Sequence, residues 1–501
     1  MKCPKKALAF IGAVALLFLW GCSAPDQENR ENWETVIECQ YEDMGISPNQ
    51  QFLIAKKGGL YGAYVKNGDS YELKIPFQYE KILCNIYSDD SLFCYYPETG
   101  LLDIYGKDGA KLQNRPFSSM ENYTRRLAEG GYTVSYDEKE QGYISKEGEW
   151  ILHPVYSQIE PLKDGTFITL KDDKYNWVDK EGKSLLPSEP EVEIDLSSTA
   201  SSSTDSYVAV TVQDPISWNK SMGILGKDGD FVIPPEYDEA YAGQDDEGNF
   251  FFMCKTSDGK GYVKDINNSV LFEYDSRNTV LPAGDRCFIV IDSIKIPSVY
   301  GLLSETGEWI FPMQYERIQV SGEMAAVTDS AGTWLYDTEG NRLSETPYDT
   351  LLMPEGDLTQ SEPLAFFQGE GEGLKFGFTS GDGAVSIPAV YDSLYYGPFP
   401  YNDLLMVSRD GKWGCVDYQN NTKIEFQYSN VLTPFTEEGY AYVTRGDAAG
   451  IINTQGETVV PFMFEDLGVE NAMEGAFLAG DMAVVKQDGS YGCIRVHSYT
   501  K

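Results

Sequence analysis

Met222-Gly223-Ile224-Leu225-Gly226-Lys227-Asp228-Gly229-Asp230-Phe231-Val232-Ile233-Pro234-Pro235-Glu236-Tyr237-Asp238 is the stretch that decides the fold. Two apolar runs, Gly223–Leu225 and Phe231–Ile233, flank the turn signal Asp228-Gly229. Asp-Gly supplies the positive φ angles of a tight hairpin, and β-branched and aromatic residues favour extended strands. The reading is a β-hairpin stopped by Pro234-Pro235, and it recurs along the chain.

The position equivalent to Gly223, six residues before the turn glycine, serves as a marker. It falls at 62, 103, 142, 176, 223, 261, 301, 334, 377, 414, 450 and 492. Eleven intervals over 430 residues average about 39, a period that signals a solenoid, propeller or array. In the unit at Gly261 the turn glycine is missing, and Asn267 is read as the residue at positive φ. Between units lie further β-prone segments such as Leu404–Val407 and Met482–Val485, so about four short strands fit each unit, the content of a propeller blade.

Asp410-Gly411-Lys412-Trp413-Gly414-Cys415-Val416-Asp417 and Val232-Ile233-Pro234-Pro235-Glu236-Tyr237-Asp238 together resemble the two halves of the unit of the WG-repeat proteins. The resemblance covers nearly all of residues 35–501 and implies an all-β repeat fold, with no family-wide catalytic residues to carry over. Val36-Ile37-Glu38-Cys39-Gln40-Tyr41 reads as a second half-unit and the chain stops after a first half, so pairing of the two would complete one blade and close a ring. About twelve units exceed the usual 4–8 blades. The expectation is therefore an all-β propeller, one closed ring or two β-propellers, with an open β-superhelix as alternative; residues 188–206, a Ser/Thr-rich stretch, read either as a division between ring segments or as a long surface loop.

Lys2, Lys5 and Lys6 precede the apolar run Ala7–Trp20, too short to span a bilayer and read as a signal peptide. Leu19-Trp20-Gly21-Cys22 resembles the lipobox of bacterial lipoproteins, which implies cleavage after residue 21 and lipid on Cys22. Residues 22–34 form a flexible tether, and the partner so implied is the membrane, on its extracytoplasmic side. The whole chain carries a net charge of −39; removing residues 1–21 takes away three lysines and no acids and leaves −42. Such a field repels nucleic acid and anionic headgroups, so no nucleic-acid role is expected.

Candidate chemistry is sparse. The seven cysteines beyond Cys22 are odd in number and form no C-x-x-C pair, and Cys415 and Cys493 read as buried apolar residues. Only His153 and His497 are available for a triad or a metal site. Asp228-Gly229-Asp230 and Asp245–Asn249 lack full calcium-loop spacing and read as solvated turns. No motif implies a cofactor. Aromatics at repeat positions, including Trp177, Trp334, Trp413, Tyr237 and Tyr391, are assigned to packing, as are Trp150 and Trp309, which share Gly-Glu-Trp-Ile. Trp218 fits no repeat position and is the candidate contact residue. The functional expectation is a non-enzymatic cell-surface lipoprotein presenting a scaffold for a protein or glycan ligand of the envelope. The competing class is an envelope glycan hydrolase using carboxylates.

Overall fold

The computed structural model describes residues 32–497, apart from 85–90, 122–130, 138, 163, 188–191, 195–205, 214–215, 246, 285, 355–357, 396–402 and 468–475. The lipobox and Cys22, and most of the 188–206 stretch, lie outside the described residues. Twelve small antiparallel sheets follow one another in the described chain and form a 12-bladed β-propeller. Blades 1 to 11 take consecutive strands from Asp43 to Glu465. Blade 12 joins Leu478–Ala479, Met482–Gln487 and Ser490–Val496 to Trp33–Tyr41 from the other end of the chain.

That closure settles the architecture as one ring. Trp33 pairs with Val496 and Tyr41 with Tyr491, so the split unit is restored between strands some 450 residues apart. An open superhelix lacks this closing pair, and two rings would interrupt the succession of blade-on-blade seams that follows. Apolar clusters then occupy every seam, one of them spanning blades 11, 12 and 1. Because successive side chains of a strand point to opposite faces, Leu225 packs toward blade 4 while Ile224 packs toward blade 6. Both faces of each blade are thus core, which is why the strands read as unbroken apolar runs rather than alternating ones.

The opening stretch folds as blade 5's third and fourth strands, Lys220–Gly226 and Phe231–Tyr237. Its turn is wider than a two-residue hairpin: residues 227–230 bridge the strands, and of these only Gly229 is left-handed, at φ 83°. The prolines do not stop the strand. They lie inside it, in a bulge where Met222 pairs with Tyr237 and Ile224 with Ile233, so that Gly223 alone faces Pro234, Pro235 and Glu236. Proline fits there because the fourth strand is the outer edge, where no further ladder needs its N–H. The bulge recurs in blades 1, 3, 7, 9, 10, 11 and 12.

The marker glycine makes room for it. A Cβ at Gly62, Gly142, Gly223, Gly377, Gly414, Gly450 or Gly492 would lie 2.5–2.8 Å from a carbonyl oxygen of the fourth strand. After the marker, Asp or Asn caps the third-to-fourth turn: Asp417 Oδ1 accepts the N–H groups of Gln419 and Asn421, and Asp337 those of Glu339 and Asn341. In blade 6 the left-handed residue is Asn268, at φ 62°, not Asn267; Asp265 caps the turn from three residues earlier.

Candidate functional site

Strand direction gives the ring two unlike faces. The third strand of blade 12 begins beside its second-to-third hairpin and ends at Val496, where Trp33 pairs with it. The chain therefore enters at Trp33 on the face that carries the third-to-fourth turns. All second-to-third hairpins lie on the other face.

Two of those hairpins carry exposed apolar side chains at their tips. In blade 5, between strands Tyr207–Gln213 and Lys220–Gly226, Ile216 is 89% and Trp218 73% exposed. In blade 7, between Cys287–Asp292 and Val299–Leu303, Ile294 is 67% and Ile296 97% exposed. Trp218 is held with its backbone left-handed at φ 60°, and its carbonyl accepts the Gln213 Nε2 amide at 3.2 Å. Trp218 is thus an exposed residue outside the repeat, as its lack of a repeat position predicts. Ile216, Ile294 and Ile296 were not singled out by sequence, although Ile294-Lys295-Ile296-Pro297 likewise interrupts the spacing between two strands of a unit. Blades 5 and 7 flank blade 6, which stands six places from blade 12. The apolar tips therefore occupy the part of the ring farthest from the chain's entry, on the opposite face.

The second candidate lies where the repeat breaks. In blade 2 the marker is Asp103, and the fourth strand is reduced to bridges at Tyr105–Lys111 and Leu102–Phe117. Asp103, 1% exposed, fills the gap. Its Oδ2 accepts the hydroxyls of Tyr79 and Tyr96, each at 2.8 Å, and Lys111 Nζ lies 2.7 Å from Oδ1. The Tyr105 and Tyr79 hydroxyls are 2.7 Å apart. Burial, followed by these hydrogen bonds, pushes the Tyr79 phenol far above its ordinary range. Burial likewise raises Tyr96, Tyr105 and the neighbouring Cys94 thiol, so the three phenols and the thiol keep their protons through neutral pH. Beyond Lys111 opens a cavity of about 260 Å³ between the third-to-fourth turns of blades 2 and 3.

Other predicted groups separate. His153 sits on blade 3's outer strand beside Trp150, and the carbonyl of His497, at the end of blade 12, accepts a hydrogen bond from Tyr440. Cys415 and Cys493 are buried, which pushes the Cys415 thiol up to about 12. Asp245 accepts Asn249 N–H at 2.7 Å and its Nδ2 at 2.9 Å, a self-satisfied turn. Among the described residues no group of three or more His, Cys, Asp or Glu is placed to hold a metal ion. Trp177, Tyr237 and Tyr391 are core, and Trp334 and Trp413 are half-buried. Trp309 departs from its assignment: one ring edge covers Gly301, yet the side chain is 49% exposed, because the outer strand leaves its other face to solvent.

The sequence model of the WG containing repeat matches residues 142–175, 222–251, 300–329, 376–413, 413–447 and 450–491. Among curated proteins, none matches the chain. Solved structures that it is similar to include a eukaryotic initiation factor, 11% identical with a TM-score of 0.31, covering 73% of this chain and 98% of the other. Another is BamB from Moraxella catarrhalis, 11% identical with a TM-score of 0.23, covering 58% and 90%. At those scores neither bears on function.

Proposed function

Since the chain is a WG-repeat protein, with twelve blades closed into one ring, we propose that it is a non-enzymatic, lipid-anchored scaffold of the cell surface that binds a protein partner through the hairpins of blades 5 and 7. The observation that carries this reading is the pairing of exposed Ile216 and Trp218 with exposed Ile294 and Ile296, opposite the chain's point of entry. Buried aromatic and aliphatic anchors dominate the energetics of protein interfaces. Three isoleucines to one tryptophan suit an apolar protein cleft better than a sugar face, which stacks on aromatic rings.

The anchor fits that polarity. Lipid on Cys22 would be linked to Trp33 by residues 23–32, a tether of at most about 35 Å. It joins the turn face at blade 12, so the hairpin face is turned away from the membrane. Two experiments test the reading. Labelling with a clickable fatty acid should mark the protein and fail in Cys22→Ser. A photo-crosslinker at 218 or 296 should capture one partner from intact cells, and one at Gln455, on the opposite turn face, should not. Equal capture from both faces, or glycan turnover abolished by a single carboxylate change, would overturn it.

A further inference from the structure

The cavity between blades 2 and 3 is independent of the hairpin face and lies on the opposite side of the ring. Its lining is Gly106, Lys107, Asp108, Ala110, Lys111, Leu112, Lys146 and Glu147. Three lysines line it with two carboxylates, and a third carboxylate, Asp103, lies 2.7 Å beneath Lys111, so half of the charged groups gathered here are cations in a chain whose acids outnumber its bases 78 to 39. Of the carboxylates, Asp108 turns its Oδ1 to the Ala110 N–H of its own turn, at 2.9 Å. Lys111 is fixed from below by Asp103 while its side chain stays 28% exposed. The walls are braced from both sides: Gln51 of blade 1 donates to the Lys107 carbonyl and Gln113 to that of Gly148, each at 2.6 Å.

Stability alone does not account for this arrangement. Glycine occupies the marker in nine blades, whereas burying the Asp103 carboxylate costs several kcal/mol before the part-exposed Lys111 ammonium offsets it. The buried Asp103 carboxylate holds one part-exposed ammonium group at the cavity floor, and preorganised charge is what lowers the cost of capturing a ligand. At about 260 Å³ the space lies below the roughly 300–1,000 Å³ of drug-sized pockets, so it suits a group the size of one sugar ring, not a polymer.

We propose that this cavity binds a small oxyanion, the carboxylate or phosphate of a compact ligand, through Lys107, Lys111 and Lys146. The source is either a free metabolite-sized anion or a phospholipid headgroup, since the turn face is also the face on which the chain enters. Titration calorimetry of the full chain with inorganic phosphate and with glucuronate, at ionic strength fixed by NaCl, reads the first source. Co-sedimentation with phosphatidylglycerol against phosphatidylcholine vesicles reads the second. Saturable binding should weaken in the Lys107→Met/Lys146→Met double variant by roughly tenfold per charge-assisted contact removed, with thermal stability retained. Trp218→Ser should leave it unchanged, which separates this site from the hairpin face. The absence of saturable binding in both assays, or the same affinity in wild type and double variant, would overturn the proposal.

Discussion

Nine blades keep a glycine at the marker and three do not, and the two groups differ by a whole strand. Blades 2, 4 and 8, with Asp103, Asn176 and Trp334 there, are the three-stranded sheets; the other nine have four strands. The cause is one atom. In the bulged blades a Cβ would collide with a fourth-strand carbonyl or, at Gly301, with the Trp309 ring at 2.6 Å. Where a side chain is present, the fourth segment swings off and keeps only isolated bridges, as at Val178–Ser184 and Thr333–Tyr348. The freed space takes the side chain itself: Asp103 with its phenols, Asn176 accepting the Ser184 hydroxyl at 2.8 Å, Trp334 under the Arg342 guanidinium. A broken repeat is therefore where this fold places polar groups that the regular repeat has no room for.

The largest expected effect tests that statement in blade 2. Lys111→Met leaves the Asp103 carboxylate buried without its cation, and removing one partner of a buried pair costs about 3–5 kcal/mol. Calorimetry should show a lower Tm, and Asp103→Asn added to Lys111→Met should recover most of it. If the single variant melts like wild type, the contact between Asp103 and Lys111 is not felt in stability. Next comes Gly414→Ala in blade 10, whose Cβ would stand 2.6 Å from the Ile424 carbonyl. Overpacking of this kind costs about 1–3 kcal/mol. A neutral result would mean that the bulge relaxes freely and that the glycine rule is not steric.

Smaller still is the contribution of the turn caps in regular blades. Burial, the largest single influence on Asp417, pushes its carboxyl up, yet hydrogen bonds from Asn421 and Lys423 together hold it at about 2, below the ordinary 3.8. A depressed carboxyl stabilises the fold above its unfolded value and loses that contribution as pH falls through the folded one. Acid unfolding between about pH 4 and 2 should thus be shallower in Asp417→Asn, by less than about 1 kcal/mol. An unchanged acid limb would show that the cap is not felt in stability.

Much of the ring was legible because each unit repeats one steric solution. The marker spacing gave about twelve units, and the half-units at the two ends, Val36–Tyr41 and the one begun at Gly492, gave the closing blade. What a single unit could not show is that Pro234 lies within a strand, since a proline reads as a stop unless the strand is known to be an outer edge. The number of rings was equally hidden, because seams between neighbours look alike whether or not the last meets the first. At the candidate sites, Trp218 stood out by breaking register, whereas Asp103 read only as one marker among twelve. Its burial depends on Tyr79 from the preceding blade and Lys111 from a displaced segment, contacts with no fixed spacing.

The smallest effect asks whether glycine is sufficient as well as necessary. For the bulge, blade 6 argues that it is not: Gly261 is present and so is a fourth strand, but that strand pairs almost regularly and the Tyr274 ring, 2.4 Å from where a Cβ would stand, occupies the space of the bulge. In blade 4, Asn176→Gly would remove the side chain that excludes a fourth strand, along with its bond to Ser184. The segment that follows, Lys183-Ser184-Leu185-Leu186-Pro187, offers one proline after two leucines, close to the Ile-Pro of the bulged strands. With no side-chain bond replaced, and a backbone-entropy cost of about 0.5–1 kcal/mol for glycine in a strand, the variant should be slightly less stable than wild type. Hydrogen exchange at Trp177 and Val178 should stay as it was. Slower exchange there, with a gain in Tm, would show a fourth strand recovered by one deletion, and the three open blades would then be held open by their marker residues alone.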